Sequence, residues 1–137
     1  MSLVLDASVT VAWIDAAEIT DAIRSVFDRI AQSSAWVPGL WRLEVANVLE
    51  MRVRRGRNDS DFRAETLADL ALLPIQLDLE THLRAWDATS KLASRHRLTI
   101  YDAAYLELAL RRGLPLATLD QELRVAAKVE QVELLGE

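Results

Sequence analysis

Ser2-Leu3-Val4-Leu5-Asp6 is the stretch on which the reading of the chain turns. It is a short apolar run that ends in an acid, the pattern of a strand buried on both faces. The same pattern returns further along. Ala35-Trp36-Val37 precedes the turn pair Pro38-Gly39, and Ile75-Gln76-Leu77 follows Pro74. Leu114-Pro115-Leu116-Ala117-Thr118 carries its proline near the start, where a strand tolerates one. A last run lies near Val132–Leu135.

Helical patterns fill the gaps. One is expected over about 8–16. A second is capped by Thr20, with Ile23, Val26, Phe27 and Ile30 at helical spacing. A long helix is predicted over about 40–55, stopping at Gly56, and another over about 60–72, ending before Pro74. Apolar residues at 79, 83, 86 and 93 give a helical stripe from Leu79 to Arg95. Thr99 opens a helix that ends at Gly113, and a final helix spans about 120–128. Short apolar strands alternating with helices predict an α/β fold, a parallel sheet covered on both faces.

The bulk figures bound the chemistry. The chain's 137 residues fit one domain, expected to span 1–137. An apolar fraction of 51% and a charged fraction of 27% fit a globular chain with a real core. No cysteine is present, which excludes disulfides, iron–sulfur clusters and thiolate zinc sites. The only histidines are His82 and His96, so any metal must be held mainly by oxygen, which favours Mg²⁺ or Mn²⁺. The first residues lack the basic region of a signal peptide, and no apolar run is long enough to span a membrane. A cytoplasmic location is expected. The net charge of −5 speaks against a nucleic-acid partner, but the charge is uneven. Residues 52–57 read Arg-Val-Arg-Arg-Gly-Arg, which is either a solvated helix end or a phosphate-binding patch.

In open α/β sheets, sites form beyond the carboxyl ends of the strands. Asp6 ends the first strand, Asp120 follows the fourth, and Asp102 falls in the first turn of the helix opened by Thr99. Each has a plain structural alternative: a turn residue, a helix cap, or one half of a Thr99–Asp102 capping box. Glu44 is harder to explain structurally. Leu40, Trp41, Val48 and Met51 share its helical arc, and a carboxylate amid apolar neighbours is costly unless paired or bound to metal. The structural alternative is a buried salt bridge to an arginine. Asn47, one turn on, could hold a ligand or water. Two carboxylates about 5 Å apart repel by roughly 3 kcal/mol at an effective dielectric near 20, so four would gather only around a cation.

Other chemistries lack their residues. There is no Gly-rich phosphate loop and no Gly-x-Ser-x-Gly elbow. Asp6-Ala7-Ser8 lacks the second aspartate of an aspartate-nucleophile phosphatase. The only lysines, Lys91 and Lys128, fall on helices rather than after a late strand, where a phospho-acceptor receiver needs one. Trp13, Trp36, Trp41 and Trp86 read as core or interface before base-stacking platforms.

Four segments, in order, carry a family resemblance: Val4-Leu5-Asp6-Ala7-Ser8; Leu40-Trp41-Arg42-Leu43-Glu44-Val45-Ala46-Asn47-Val48-Leu49; Tyr101-Asp102-Ala103-Ala104-Tyr105-Leu106-Glu107-Leu108-Ala109; and Leu114-Pro115-Leu116-Ala117-Thr118-Leu119-Asp120. Over nearly its whole length the chain resembles PIN domains, in particular the VapC-type toxins of bacterial toxin–antitoxin modules. The resemblance implies a three-layer α/β/α fold with strand order 3-2-1-4-5. It implies a Mg²⁺- or Mn²⁺-dependent endoribonuclease that leaves a 5′-phosphate and a 3′-hydroxyl. Asp6, Glu44, Asp102 and Asp120 fall on the family's four acidic positions, with Ser8 and Thr118 where hydroxyls orient them. A homodimer and a cognate antitoxin are implied as well. Asp6 and Asp120 are expected to hold the metal most directly, with Glu44 and Asp102 completing the site. Arg54, Arg55 and Arg57 are the best candidates for RNA phosphate contacts, with a role in antitoxin or dimer contact equally open. Two rivals remain at this point: a non-catalytic module that kept the fold, and a stand-alone RNA-processing nuclease without an antitoxin.

Overall fold

A computed structural model describes residues 1–137. The chain runs β1 (Val4–Leu5), α1 (Ala7–Ile14), α2 (Asp21–Gln32), β2 (Ala35–Val37), α3 (Trp41–Arg54), α4 (Ser60–Ala71), β3 (Ile75–Leu77), α5 (Thr81–Arg84), α6 (Ala88–His96), α7 (Ile100–Arg112), β4 (Leu116–Ala117), α8 (Gln121–Val129) and β5 (Leu134–Leu135). All strand pairs are parallel, in the order β3-β2-β1-β4-β5. This is the expected fold class and strand order. The strands are two or three residues long, shorter at the fourth and fifth positions than the apolar runs that announce them.

Right-handed crossovers place the helices. The chain steps outward from β1 to β2 to β3, so α1–α4 cover one face. It then crosses back to β4 and steps outward to β5, so α6–α8 cover the other. The packing agrees: α1 meets α2 and α3, α3 meets α4, and α7 lies between α6 and α8. One continuous core joins the layers, with Leu3, Val4, Leu5, Leu116 and Ala117 of the sheet fully buried against Ile23, Ile30, Leu49, Leu106, Leu108 and Leu123. Trp13 stacks on Phe27 at 4.5 Å between ring centres, and the buried Trp41 donates through Nε1 to Thr10 Oγ1, tying α3 to α1.

The stripe from Leu79 to Arg95 is the main departure from the sequence reading. It breaks into α5 and α6 at Ala85-Trp86-Asp87, and of the four positions that define it only Ala93 is buried, beside Leu92. Leu79, Leu83 and Trp86 are exposed, Trp86 at 96%. The segment is instead fixed at its start by polar contacts. Asp78, 2% exposed, ends β3, accepts from Thr81 and pairs with Arg111 and Arg112 of α7.

Candidate active site

The direction of chain travel reverses between β1 and β4, where an open α/β sheet forms its crevice. Asp6 and Thr118 follow the last paired residues of these strands, Leu5 and Ala117. Each of the four acids belongs to the start of a different helix. Asp6 is the N-cap of α1, Asp120 the N-cap of α8, and Glu44 and Asp102 lie in the first turns of α3 and α7. The positive ends of four helix dipoles thus partly offset the gathered negative charge.

Local contacts fix two of the acids firmly. Asp6 is buried, and its Oδ2 accepts from Ser8 Oγ at 2.6 Å and Thr118 Oγ1 at 2.8 Å. The Thr118 hydroxyl also accepts from the Asp120 amide at 3.1 Å, and Ser8 Oγ accepts from the Leu119 amide at 3.0 Å. Ser8 and Thr118 therefore join the two loops that carry Asp6 and Asp120. Asp120 caps α8 through Oδ1, which accepts from the Leu123 amide. The capping role anticipated for it is real, and it occupies one of its two oxygens. At Asp102 the box is only half made: the Asp102 amide donates to Thr99 Oγ1, while the carboxylate accepts from no backbone amide.

Glu44 is half-buried at the edge of the α3 core face, which is formed by Trp41, Val45 and Leu49. Its partner is Tyr105, whose hydroxyl donates to Oε1 at 2.6 Å, and no arginine pairs with it. Sequence reasoning missed Tyr105. The available signal was its place one turn after Asp102 on the same helix face. It also missed Arg124, a buried cation that donates to the Thr118 carbonyl at 2.7 Å and the Leu135 carbonyl at 3.1 Å, bracing the Asp120 loop from behind. Asn47 is exposed and makes no side-chain hydrogen bond, so an orienting role for it has no support in the geometry. Arg54 pairs with Glu50, and Arg55 and Arg57 are exposed. All three lie at or just beyond the far end of α3, about 15 Å from Glu44 for Arg54 at 1.5 Å per residue.

The electrostatics link the acids to one another. Burial pushes up the Asp6 carboxyl; Ser8 and Thr118 pull it back, and the Asp120 charge raises it further. Burial also raises Glu44, opposed by Tyr105 and reinforced by Asp6 and Asp102. Asp102 is pushed up to about 6, by burial and then by the charges of Asp120 and Asp6. The other inward-facing acids are matched: Asp78 and Glu107 by Arg111, Glu130 by Arg95 and His96. The four acids at the crevice form no ion pair at all. As placed, no three of them converge into a ready-made ligand set. Mg²⁺ does not require that, because it keeps several waters and takes one or two carboxylates. Uncompensated, mutually repelling oxygen donors with free lone pairs fit such an ion.

A parallel 3-2-1-4-5 sheet with acids at its switch point defines a class, and the family model described as "PIN domain" matches residues 3–129. The chain belongs to the PIN domain family. It is 36% identical over 80 residues to Ribonuclease VapC3 of Pyrobaculum aerophilum, a match covering 58% of this chain and 61% of that one. Among solved structures it is similar to PAE2754 from Pyrobaculum aerophilum, at 24% identity and a TM-score of 0.71, over 98% of this chain and 83% of that one. VapBC2 from Rickettsia felis, bound to a DNA fragment from its promoter, matches at 11% identity and a TM-score of 0.63, over 98% and 97%. These likenesses to solved structures bear on the fold. No helix of the chain is long and apolar enough to cross a membrane.

Proposed function

We propose that the chain is a Mg²⁺- or Mn²⁺-dependent endoribonuclease, the toxin of a VapC-type toxin–antitoxin module. One observation carries the reading: four carboxylates without any cationic partner gather at the switch point of a PIN-domain sheet. Asp6 and Asp120 would hold the ion, Asp6 being fixed by Ser8 and Thr118 through Oδ2 and Asp120 having one oxygen left over from its cap. Bound there, a divalent cation supplies neutralising charge, polarises a phosphoryl oxygen and lowers the pKa of water. Glu44 and Asp102, both with raised carboxyls, are suited to take a proton from the attacking water and return one to the departing 3′-oxygen. The products are a 5′-phosphate and a 3′-hydroxyl.

The partner expectations have candidate surfaces. Leu43, Leu79 and Tyr101 are exposed along a groove beside the site, and Leu83 and Trp86 are exposed on the segment next to it; we assign this apolar surface to a second copy. A separate apolar groove between α3 and α4, lined by Trp41, Val45, Leu67, Leu70 and Leu73, is left for the antitoxin. A cytoplasmic location follows from this reading.

The test is direct. Purified, antitoxin-free protein is incubated with RNA in Mg²⁺ or Mn²⁺, with and without chelator. Cleavage that stops in chelator and is lost in Asp6→Ala and Asp120→Ala is expected. Cleavage that persists in excess chelator, or in both variants, overturns the reading.

A further inference from the structure

Tyr105 has no part in the chemistry proposed above, yet its position is unusual for a core tyrosine. The ring is fully buried on α7, while its hydroxyl reaches α3 to donate to Glu44 Oε1 at 2.6 Å. That bond is the only side-chain hydrogen bond Glu44 makes. Glu44 Oε2 has no protein partner, and Glu44 is bounded by no cation that could fix it otherwise. The carboxylate is thus held by one oxygen and left open at the other. The bond also spans the two helical layers. Asp102 lies on the same α7 face one turn before Tyr105, so the contact fixes the Glu44 helix relative to the Asp102 helix.

We infer that Tyr105 is a positioning residue: its hydroxyl anchors Glu44 by one oxygen and thereby presents the other oxygen to the metal and substrate. The inference rests on the nuclease reading and adds a residue to it. The hydroxyl suits the task because a phenol, which ordinarily loses its proton only at about pH 10, is a neutral donor throughout the neutral range. It is therefore a constant donor to Glu44. A lysine or arginine in its place would neutralise the carboxylate and compete with the ion. Partners that orient ligands from behind typically contribute 10- to 100-fold in metal affinity or activity.

The experiment compares the wild type with Tyr105→Phe, Glu44→Gln and the double variant. Phe keeps the buried ring and removes only the hydroxyl. Mn²⁺ binding is measured by titration calorimetry, RNA cleavage under saturating Mn²⁺, and folding by thermal melting in chelator. Expected is a loss of about 10- to 100-fold in Mn²⁺ affinity or kcat for Tyr105→Phe. The double variant should then be no worse than Glu44→Gln alone, because Tyr105 acts only through Glu44. A lowered melting temperature with affinity and kcat unchanged overturns the inference and makes Tyr105 a core residue. So does a double variant whose losses multiply. If Glu44→Gln weakens cleavage while Tyr105→Phe does not, the nuclease reading stands and the inference fails. If Glu44→Gln itself alters neither affinity nor cleavage, the assigned site fails and takes the inference with it.

Discussion

Replacing Asp102 with asparagine removes one of four crowded charges while keeping the side-chain shape. In the folded chain this carboxyl is pushed up to about 6, against roughly 3.9 in an unfolded chain. Between those values the folded state holds a proton that the unfolded state has released, so folding is favoured at low pH. The advantage is complete below about pH 4 and is lost as pH rises through about 6. At full strength the difference corresponds to roughly 3 kcal/mol. Asp102 keeps part of its surface in water, and solvent screening reduces that to about 1–2 kcal/mol. Asparagine also gives up an acidic first-turn contact with the helix dipole, worth about 0.3–1 kcal/mol. The net expectation in chelator at pH 8 is that Asp102→Asn is more stable by about 1 kcal/mol, a rise of about 3–5 °C for a chain of this size. At pH 4 the gain should vanish. Saturating Mg²⁺ should raise the wild type, by about 2.7 kcal/mol at 100 times its dissociation constant, and raise the variant less. Thermal melts followed by circular dichroism across pH 4 to 8, with chelator and with Mg²⁺, give all of these values. A variant that melts several degrees below wild type at every pH, with no metal shift in either protein, refutes the reasoning and makes Asp102 an ordinary helix-start acid.

Thr118→Val should cost about 1–3 kcal/mol in urea denaturation, because it leaves Asp6 short of a donor and the Asp120 amide without its acceptor; an unchanged midpoint removes Thr118 from the framework of the site. Replacing Arg54, Arg55 and Arg57 with Glu should weaken binding of long RNA and flatten its salt dependence. Cleavage of an oligonucleotide too short to reach from Glu44 to the end of α3 should be untouched, and equal effects on both lengths would contradict the placement. Trp86→Glu should turn a homodimer into a monomer in size-exclusion chromatography with light scattering, and a variant that stays dimeric moves the interface elsewhere.

The parallel sheet and most helix limits were legible because each strand is a short apolar run between strong punctuation, whereas the strand order came from the family resemblance. Thr20, Thr99, Gly56 and Gly113 sit where the helix ends fall, and Gly56 and Gly113 adopt the positive φ that such stops use. Asp6, Asp102 and Asp120 were legible because each follows a strand or opens a helix, and Glu44 because it falls within an apolar helical arc. The stripe at 79–95 misled because helical spacing says which residues share a face and nothing about whether another layer covers it. Polar anchoring by Asp78 decides that segment, and its partners Arg111 and Arg112 lie more than thirty residues away. Tyr105 was hidden for a related reason. Its ring reads as core, and only the tertiary meeting of the two helical layers at the crevice shows what the hydroxyl reaches.

The clasp of Ser8 and Thr118 on Asp6 joins residues up to 112 positions apart. A chain emerging from the ribosome displays Asp6 first and must wait for β4 before the clasp can close. At ordinary synthesis speed that delay is on the order of ten seconds. Throughout it, Asp6 lacks its Thr118 donor, Asp120 has not been made, and the crevice has only one wall. Fragments truncated before Thr118 are therefore expected to lack the clasped site however well their first three strands pair. On the nuclease reading, activity can therefore arise only once the β4 segment that carries Thr118 and Asp120 has been made and has paired with β1.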